Sequence, residues 1–138
     1  MLVRPFVMDD YPVVLTLWRD AGPGLTLRPS DEPEEVAKKL ERDPDLFLIA
    51  EEEDQVVGVI MGAWDGRRGW IHHLAVLANN RKQGIGSALL NEVESRLKAK
   101  GCLKVNLMVH KENTAAQGLY RRLGYNDMSS ILLMGKEL

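Results

Sequence analysis

Apolar positions along this chain repeat with two different periods, and each period predicts its own kind of element. Residues 2–6 (LVRPF) read as a short strand, with Pro5 suited to an edge. After Asp9 and Asp10, which can cap a helix, Val13, Val14, Leu17 and Trp18 recur at helical spacing as far as about Asp20. Ala21 to Pro29 is rich in turn residues. Ser30-Asp31-Glu32-Pro33 then opens a second helix with acidic residues in its first turn and with Val36 and Leu40 inward. LFLIAEE (46–52) and VVGVIMGAW (56–64) predict a hairpin around Glu53-Asp54-Gln55, and a second turn at 65–69 leads into WIHHLAV (70–76). Ile85, Ala88, Leu89, Val93 and Leu97 form one helical stripe, stopped at Gly101. LKVNLMV (103–109) follows as a strand. Asn113 caps a helix carrying Ala116, Leu119, Tyr120 and Leu123, stopped at Gly124, and ILLMGKEL (131–138) is expected as a closing strand.

The predicted order is β-α-α-β-β-β-α-β-α-β, an α/β fold with a mixed central sheet and helices on both faces. The late β-α-β connections predict parallel pairing, and such sheets bind ligands at strand ends. No repeat or linker divides the chain, so residues 1–138 are expected to form one domain.

Composition narrows the classes of function. With 138 residues, 45% of them hydrophobic and 28% charged, the chain can bury a core and is not a disordered segment. A net charge of -2 gives no general attraction to nucleic acid or anionic membranes, so neither is expected as a partner. No signal peptide and no membrane-spanning stretch is evident. The single cysteine, Cys102, allows no internal disulfide, and a cytoplasmic setting is expected.

One stretch carries more specific chemistry. Arg81-Lys82-Gln83-Gly84-Ile85-Gly86-Ser87 stands between a strand and a helix, with two bare glycines in place of a capping side chain. The first amides of a helix lack intrahelical partners and lie at the positive end of its dipole, so an anion satisfies both. Glycines at 84 and 86 leave room for a pyrophosphate, and Arg81 and Lys82 add charge. Taken alone, the pattern also suits a plain turn. The full dinucleotide fingerprint fails at Leu89, and the phosphate loop of nucleotide triphosphatases is not formed either.

LAV followed by Arg81-x-x-Gly84-x-Gly86 and a helix resembles the acyl-CoA signature of the GNAT acetyltransferases. NTAAQGLYRRLGY (113–125) is similar to that family's second motif, Asn-x-x-Ala…Leu-Tyr-x-x-x-Gly-Tyr/Phe. The similarity of motifs runs from about Trp70 to Tyr125, and in detail the chain resembles a small stand-alone branch, YpeA-like, close to the ribosomal-protein N-acetyltransferases. The resemblance implies the GNAT fold and transfer of an acetyl group from acetyl-CoA to a primary amine, on a small molecule or a peptide, without a metal. It implies that the backbone of Leu74, Ala75 and Val76 pairs with the pantetheine arm. The pyrophosphate would rest on amides of Arg81, Lys82, Gln83, Gly84, Ile85, Gly86 and Ser87. Asn113 would bond the pantetheine as well as cap its helix. Tyr120 corresponds to the tyrosine near the thioester sulfur, where a donor stabilises the departing thiolate. A homodimer is common in the family.

For the base that takes the amine's proton, His72 and His73 are the candidates, since histidine titrates near 6.5. Strict alternation lets only one of them face the site, and places His72 with Trp70, Leu74 and Val76. His72 is therefore the expected base, or else a wall of the acceptor pocket. Tyr120 has a second reading as core, because it shares a stripe with Ala116 and Leu123. Ribosomal-protein acetyltransferases carry a glutamate where this chain has Met108, so a water relay is the alternative to a direct base. The acceptor pocket is expected between 21–29, the start of the second helix and 126–130, with Glu32, Glu34 and Glu35 attracting a cationic acceptor. Cys102 is expected away from the thioester. Two further classes of function remain in view, an acyl-CoA-binding module with little catalysis and a nucleotide-phosphate binder.

Overall fold

The computed structural model describes residues Met1 to Leu138. Its strands are β1 (Leu2–Pro5), β2 (Phe47–Glu52), β3 (Gln55–Trp64), β4 (Gly69–Val76) and β5 (Val105–Leu107). Four helices join them: α1 (Tyr11–Arg19), α2 (Pro33–Arg42), α3 (Ile85–Ala99) and α4 (Thr114–Arg122). The sheet runs β1-β2-β3-β4-β5, antiparallel except for the last pair, β4 with β5, which is parallel.

Both faces of the sheet are covered, which is why β2 reads as a nearly continuous apolar run. On one face α1 and α2 bury Val14, Leu17, Trp18 and Val36 against Phe47, Ile49, Val59, Met61 and Ala75. On the other, α3 and α4 bury Ile85, Leu89, Val93, Leu97 and Tyr120 against Leu48, Ala50, Val57, Ile60 and Ile71. The helix α3 lies directly on bare backbone of β3. A Cβ at Gly58 would stand 2.9 Å from Ile85 Cγ2, and one at Gly62 would stand 2.7 Å from Val93 Cγ1. That close approach fixes the start of α3 against the ends of the central strands.

Two departures from the predicted pattern shape the site. The register of β3 and β4 pairs Met61 with His72 but Val59 with Ala75, so His73 and Leu74 together oppose Ile60 alone. This is a β-bulge, and His73 takes the left-handed conformation at φ 50°. The extra residue reverses the alternation of side chains beyond it. Then β5 extends for only three residues rather than seven, because β4 and β5 part after the pair Ile71–Leu107.

The closing strand expected at 131–138 is not formed. Ile131 is 62% exposed and Met134 87%, and the only backbone hydrogen bond of the segment closes a turn, from Ile131 N–H to the Met128 carbonyl. An apolar run has strand propensity but becomes a strand only on a partner edge, and here β5 pairs with β4 alone.

Candidate active site

The parting of β4 from β5 opens a cavity of about 890 Å³ at the strand ends. The end of β4 (His72, His73, Leu74, Val76), the first turn of α3 (Ile85, Gly86, Ser87) and the loop before it line one side. The segment just after β5 (Met108, Val109, His110), the cap residue Asn113 and α4 (Ala116, Leu119, Tyr120) line the other. Ala21, Gly24 and Leu25, from the connection between α1 and α2, form a roof.

At the start of α3 the backbone is prepared for an anion. Lys82 and Gly84 are both left-handed, at φ 61° and 83°. The first hydrogen bond reaching this turn runs from Ala88 N–H to the Gly84 carbonyl, at 3.0 Å, and the amides from Lys82 to Ser87 donate to nothing within the chain. Such a run of free N–H groups at a helix N-terminus is a concavity for phosphate oxygens. A Cβ on Gly86 would meet Leu119 Cδ2 at 3.2 Å, so the bare position is required by the packing as well. The Arg81 side chain, besides its charge, has a structural task. Its guanidinium donates to the Val76 carbonyl (3.0 Å) and the Asp20 carbonyl (3.2 Å), clipping the loop to the ends of β4 and α1. Its own amide points to the Ala78 carbonyl.

Not every expected residue reaches the cavity wall. Ala75 is buried in the opposite layer, under α1 and α2. The Gln83 side chain turns back to the Asn79 carbonyl, at 3.4 Å. Asn113 caps α4, its Oδ1 accepting from Ala116 N–H at 3.2 Å. Its amide nitrogen lies against Gly24, where an added Cβ would stand only 2.2 Å away. Tyr120 serves both of its readings, being 9% exposed within the core cluster and also part of the cavity wall. Burial pushes its phenol up to about 12, and its hydroxyl has no partner in the chain.

The bulge corrects the histidine assignment. His72 stands opposite Met61, so it faces the α1 and α2 layer, whereas Leu74 and Val76 pack with the α3 and α4 layer. His72 does not share their face, because the inserted residue lies between them. His73 is not turned away as alternation required. Its ring meets Trp18 edge-on at 5.1 Å, its Nε2 is 2.7 Å from Asp31 Oδ1, and both histidines line the cavity. Burial, and after it the neighbouring His73 and Lys39, hold His72 below the ordinary histidine range. His110 lines the cavity as well, but no group of three or more His, Cys, Asp or Glu stands close enough to hold a metal ion.

On the acceptor side the expectations need revision. Glu32 lines a separate small cleft with Tyr11, Arg19 and Arg28, and neither Glu34 nor Glu35 borders the cavity. The charged side chains on its wall are all basic: Arg81, Lys82, Lys111 and Arg122. Leu133 takes the place expected of 126–130. Cys102 is away from the cavity, its thiol against the Lys104 carbonyl at 3.2 Å. Ala21, Gly24 and Leu25 fall within the 21–29 connection that the sequence points to, and His73 is one of its two candidate bases. The contact of His73 with Asp31 is not legible in the sequence, since it depends on a bulge and on distant segments.

Comparison with known proteins gives the family. The model of the acetyltransferase (GNAT) family matches residues 11–125. An acetyltransferase of Sodalis glossinidius is 45% identical over the whole of this chain and 96% of its own length. The ribosomal-protein-alanine N-acetyltransferase of Brucella melitensis superposes with a TM-score of 0.74 at 25% identity, over 90% of this chain and 83% of that one. The PaiA N-acetyltransferase of Thermoplasma acidophilum, solved in complex with coenzyme A, gives a TM-score of 0.80 over 91% and 89% of the two chains. At 21% identity that likeness speaks for the fold. With the matched sequence covering the forked sheet and the amide-lined turn, the chain belongs to the GNAT family of acetyltransferases.

Proposed function

We propose that this protein moves an acetyl group from acetyl-CoA to a primary amine by direct attack within a ternary complex. The observation that carries the proposal is the fork between β4 and β5, with free amides at its mouth and Tyr120 along its wall. An extended pantetheine arm fits the open side of β4 at Leu74, Ala75 and Val76, as an added strand does. The amides from Lys82 to Ser87 suit its pyrophosphate, and Lys82 beside them suits its charge. The Asn113 amide nitrogen, free of the capping bond, is the group suited to a carbonyl of the arm. When bound, acetyl-CoA supplies an acyl group activated as a thioester.

The raised phenol of Tyr120 sharpens its role. With its value at about 12 and a free thiol near 8.5, full proton transfer to a departing thiolate is uphill by about 5 kcal/mol. Tyr120 thus acts chiefly by holding a hydrogen bond to the sulfur as negative charge develops there. The attacking amine must first lose a proton to a group on the β4 side of the cavity. Burial keeps His72 neutral at pH 7, which is the form a base requires, although the same burial weakens it as a proton acceptor. His72 is accordingly proposed as a wall of the acceptor pocket and an aid to catalysis.

The acceptor class is either a small-molecule amine or a peptide N-terminus. Thiol release from acetyl-CoA with a panel of both tests the proposal, and turnover on at least one acceptor is expected. Met108 on the cavity wall, where ribosomal-protein acetyltransferases carry a glutamate, favours one second reading, that of a binding module. Tight binding of coenzyme A without turnover on any member of the panel would establish that reading instead. A thermal-shift comparison separates both from a nucleotide binder, since ATP is expected to stabilise less than acetyl-CoA.

A further inference from the structure

The bulge in β4 brings together two groups 42 positions apart. His73 Nε2 and Asp31 Oδ1 stand 2.7 Å apart. Asp31 is 6% exposed and has both oxygens engaged, because its Oδ2 accepts from Arg28 N–H at 3.0 Å. An ionised carboxylate only accepts hydrogen bonds, so the hydrogen of neutral His73 is on Nε2 and the lone pair is left on Nδ1. The ring is wedged against Trp18 and lines the cavity. It is thus fixed in tautomer, in orientation and in place.

Resting on the acetyl-transfer reading above, we propose that His73 is the catalytic base of this enzyme and that Asp31 is its positioning residue. Nδ1 of neutral His73 takes one proton from the acceptor ammonium, giving a neutral amine and an imidazolium held against the Asp31 carboxylate. The amine lone pair forms the C–N bond at the thioester carbonyl carbon, and the C–S bond breaks with its electron pair on sulfur. The second nitrogen proton ends on that sulfur, and the imidazolium returns its own to solvent. Ammonium and thioester thereby give amide, thiol and one released proton.

The charged and titratable groups around His73 are few. Asp31 faces it from the turn before α2, and His72 adjoins it on β4. From α2, Lys39 acts on His72 and is itself paired with Asp43 at 2.5 Å. From α1, the Tyr11 hydroxyl donates to the Asp31 carbonyl at 2.8 Å, behind the pair. An alternative role for Asp31 and His73 is a clip that fastens the α1–α2 connection to β4. A clip and a base differ in their response to pH.

The test is the pH dependence of kcat/KM with saturating acetyl-CoA and the best amine of the acceptor panel. Calorimetric affinity for coenzyme A is measured alongside it. Asn and Gly both tolerate the left-handed backbone at this position, so His73→Asn and His73→Gly test chemistry and not folding. His73→Asn is expected to lose about 100-fold or more in kcat/KM and to lose the acidic limb of the profile, with coenzyme A affinity kept. Added imidazole is expected to restore turnover in His73→Gly. Asp31→Asn is expected to keep the limb but move it to lower pH, because the imidazolium loses its counter-charge. Nitrogen NMR of the unaltered protein is expected to show His73 protonated on Nε2. An unchanged limb in His73→Asn overturns the proposal, as does a fall in coenzyme A affinity that matches the fall in rate. Absence of turnover by the unaltered protein on every acceptor removes the acetyl-transfer reading, and this assignment with it.

Discussion

Single residues decide the chemistry here through what surrounds them. His72 is buried and held neutral, so folding must exclude a proton that the unfolded chain accepts. The folded value of His72 lies below the unfolded 6.5, so its contribution to stability is present above pH 6.5 and is lost as pH falls through the folded value. Urea unfolding is expected to show stability declining as pH falls below 6.5, with a slope of at most about 1.4 kcal/mol per pH unit for one proton, and a flatter profile in His72→Gln. Tyr120 makes a separate prediction. Tyr120→Phe keeps the ring in the core and removes the donor, so kcat is expected to fall about 10-fold or more while coenzyme A affinity is kept. Equal kcat values would make Tyr120 a packing residue only. Both residues were legible as candidates from sequence. His73 was a candidate too, but alternation turned it away from the site, because a strand pattern gives no sign of an inserted residue.

At the scale of elements, local signals proved readable where they were self-contained. Glycine before a helix, Asn113 at the start of α4 and the apolar stripe of α3 all lie within a few residues of what they determine. The hairpin of β2 and β3 and the parallel pairing of β4 with β5 were readable, but where the sheet ends was not. The truncation of β5 and the unformed closing strand are properties of an edge and not of a run of residues. Two glycines test the elements they join. Gly86→Glu puts a charged side chain where the pyrophosphate is proposed to rest and is expected to abolish coenzyme A binding, as measured by calorimetry. Gly24→Ala drives a methyl into the Asn113 side chain, and loss of that cap is expected to cost about 1 kcal/mol and to weaken coenzyme A binding as well. Unaltered binding in Gly24→Ala would separate the roof from the cofactor site.

At the scale of the whole molecule, charge and layering act together. The chain carries a net charge of -2, yet the charged side chains around the cavity are basic. Coenzyme A affinity is therefore expected to fall as salt is raised, more steeply than for a pantetheine lacking phosphates. No helix is long and apolar enough to cross a membrane. The order of elements as far as α4 and the covering of both faces of the sheet followed from residues taken in sequence. The cavity roof followed in part: the α1–α2 connection stands where it was expected, whereas the bulge and Leu133 join it only in three dimensions.

The fork has a consequence for the molecule as a thermodynamic object. Beyond Ile71 and Leu107 the sheet lacks a rung, so the layer carrying α4 is tied to the rest mainly through side chains. A ligand that bridges this gap completes the hydrogen-bonded ladder of the protein itself. Amides of Leu74 and Val76 should then exchange with heavy water far more slowly when coenzyme A is present. At a ligand concentration 100 times the Kd, the free energy of unfolding should rise by about 2.7 kcal/mol. The unfolding free energy of this chain thus becomes a measure of how much coenzyme A surrounds it.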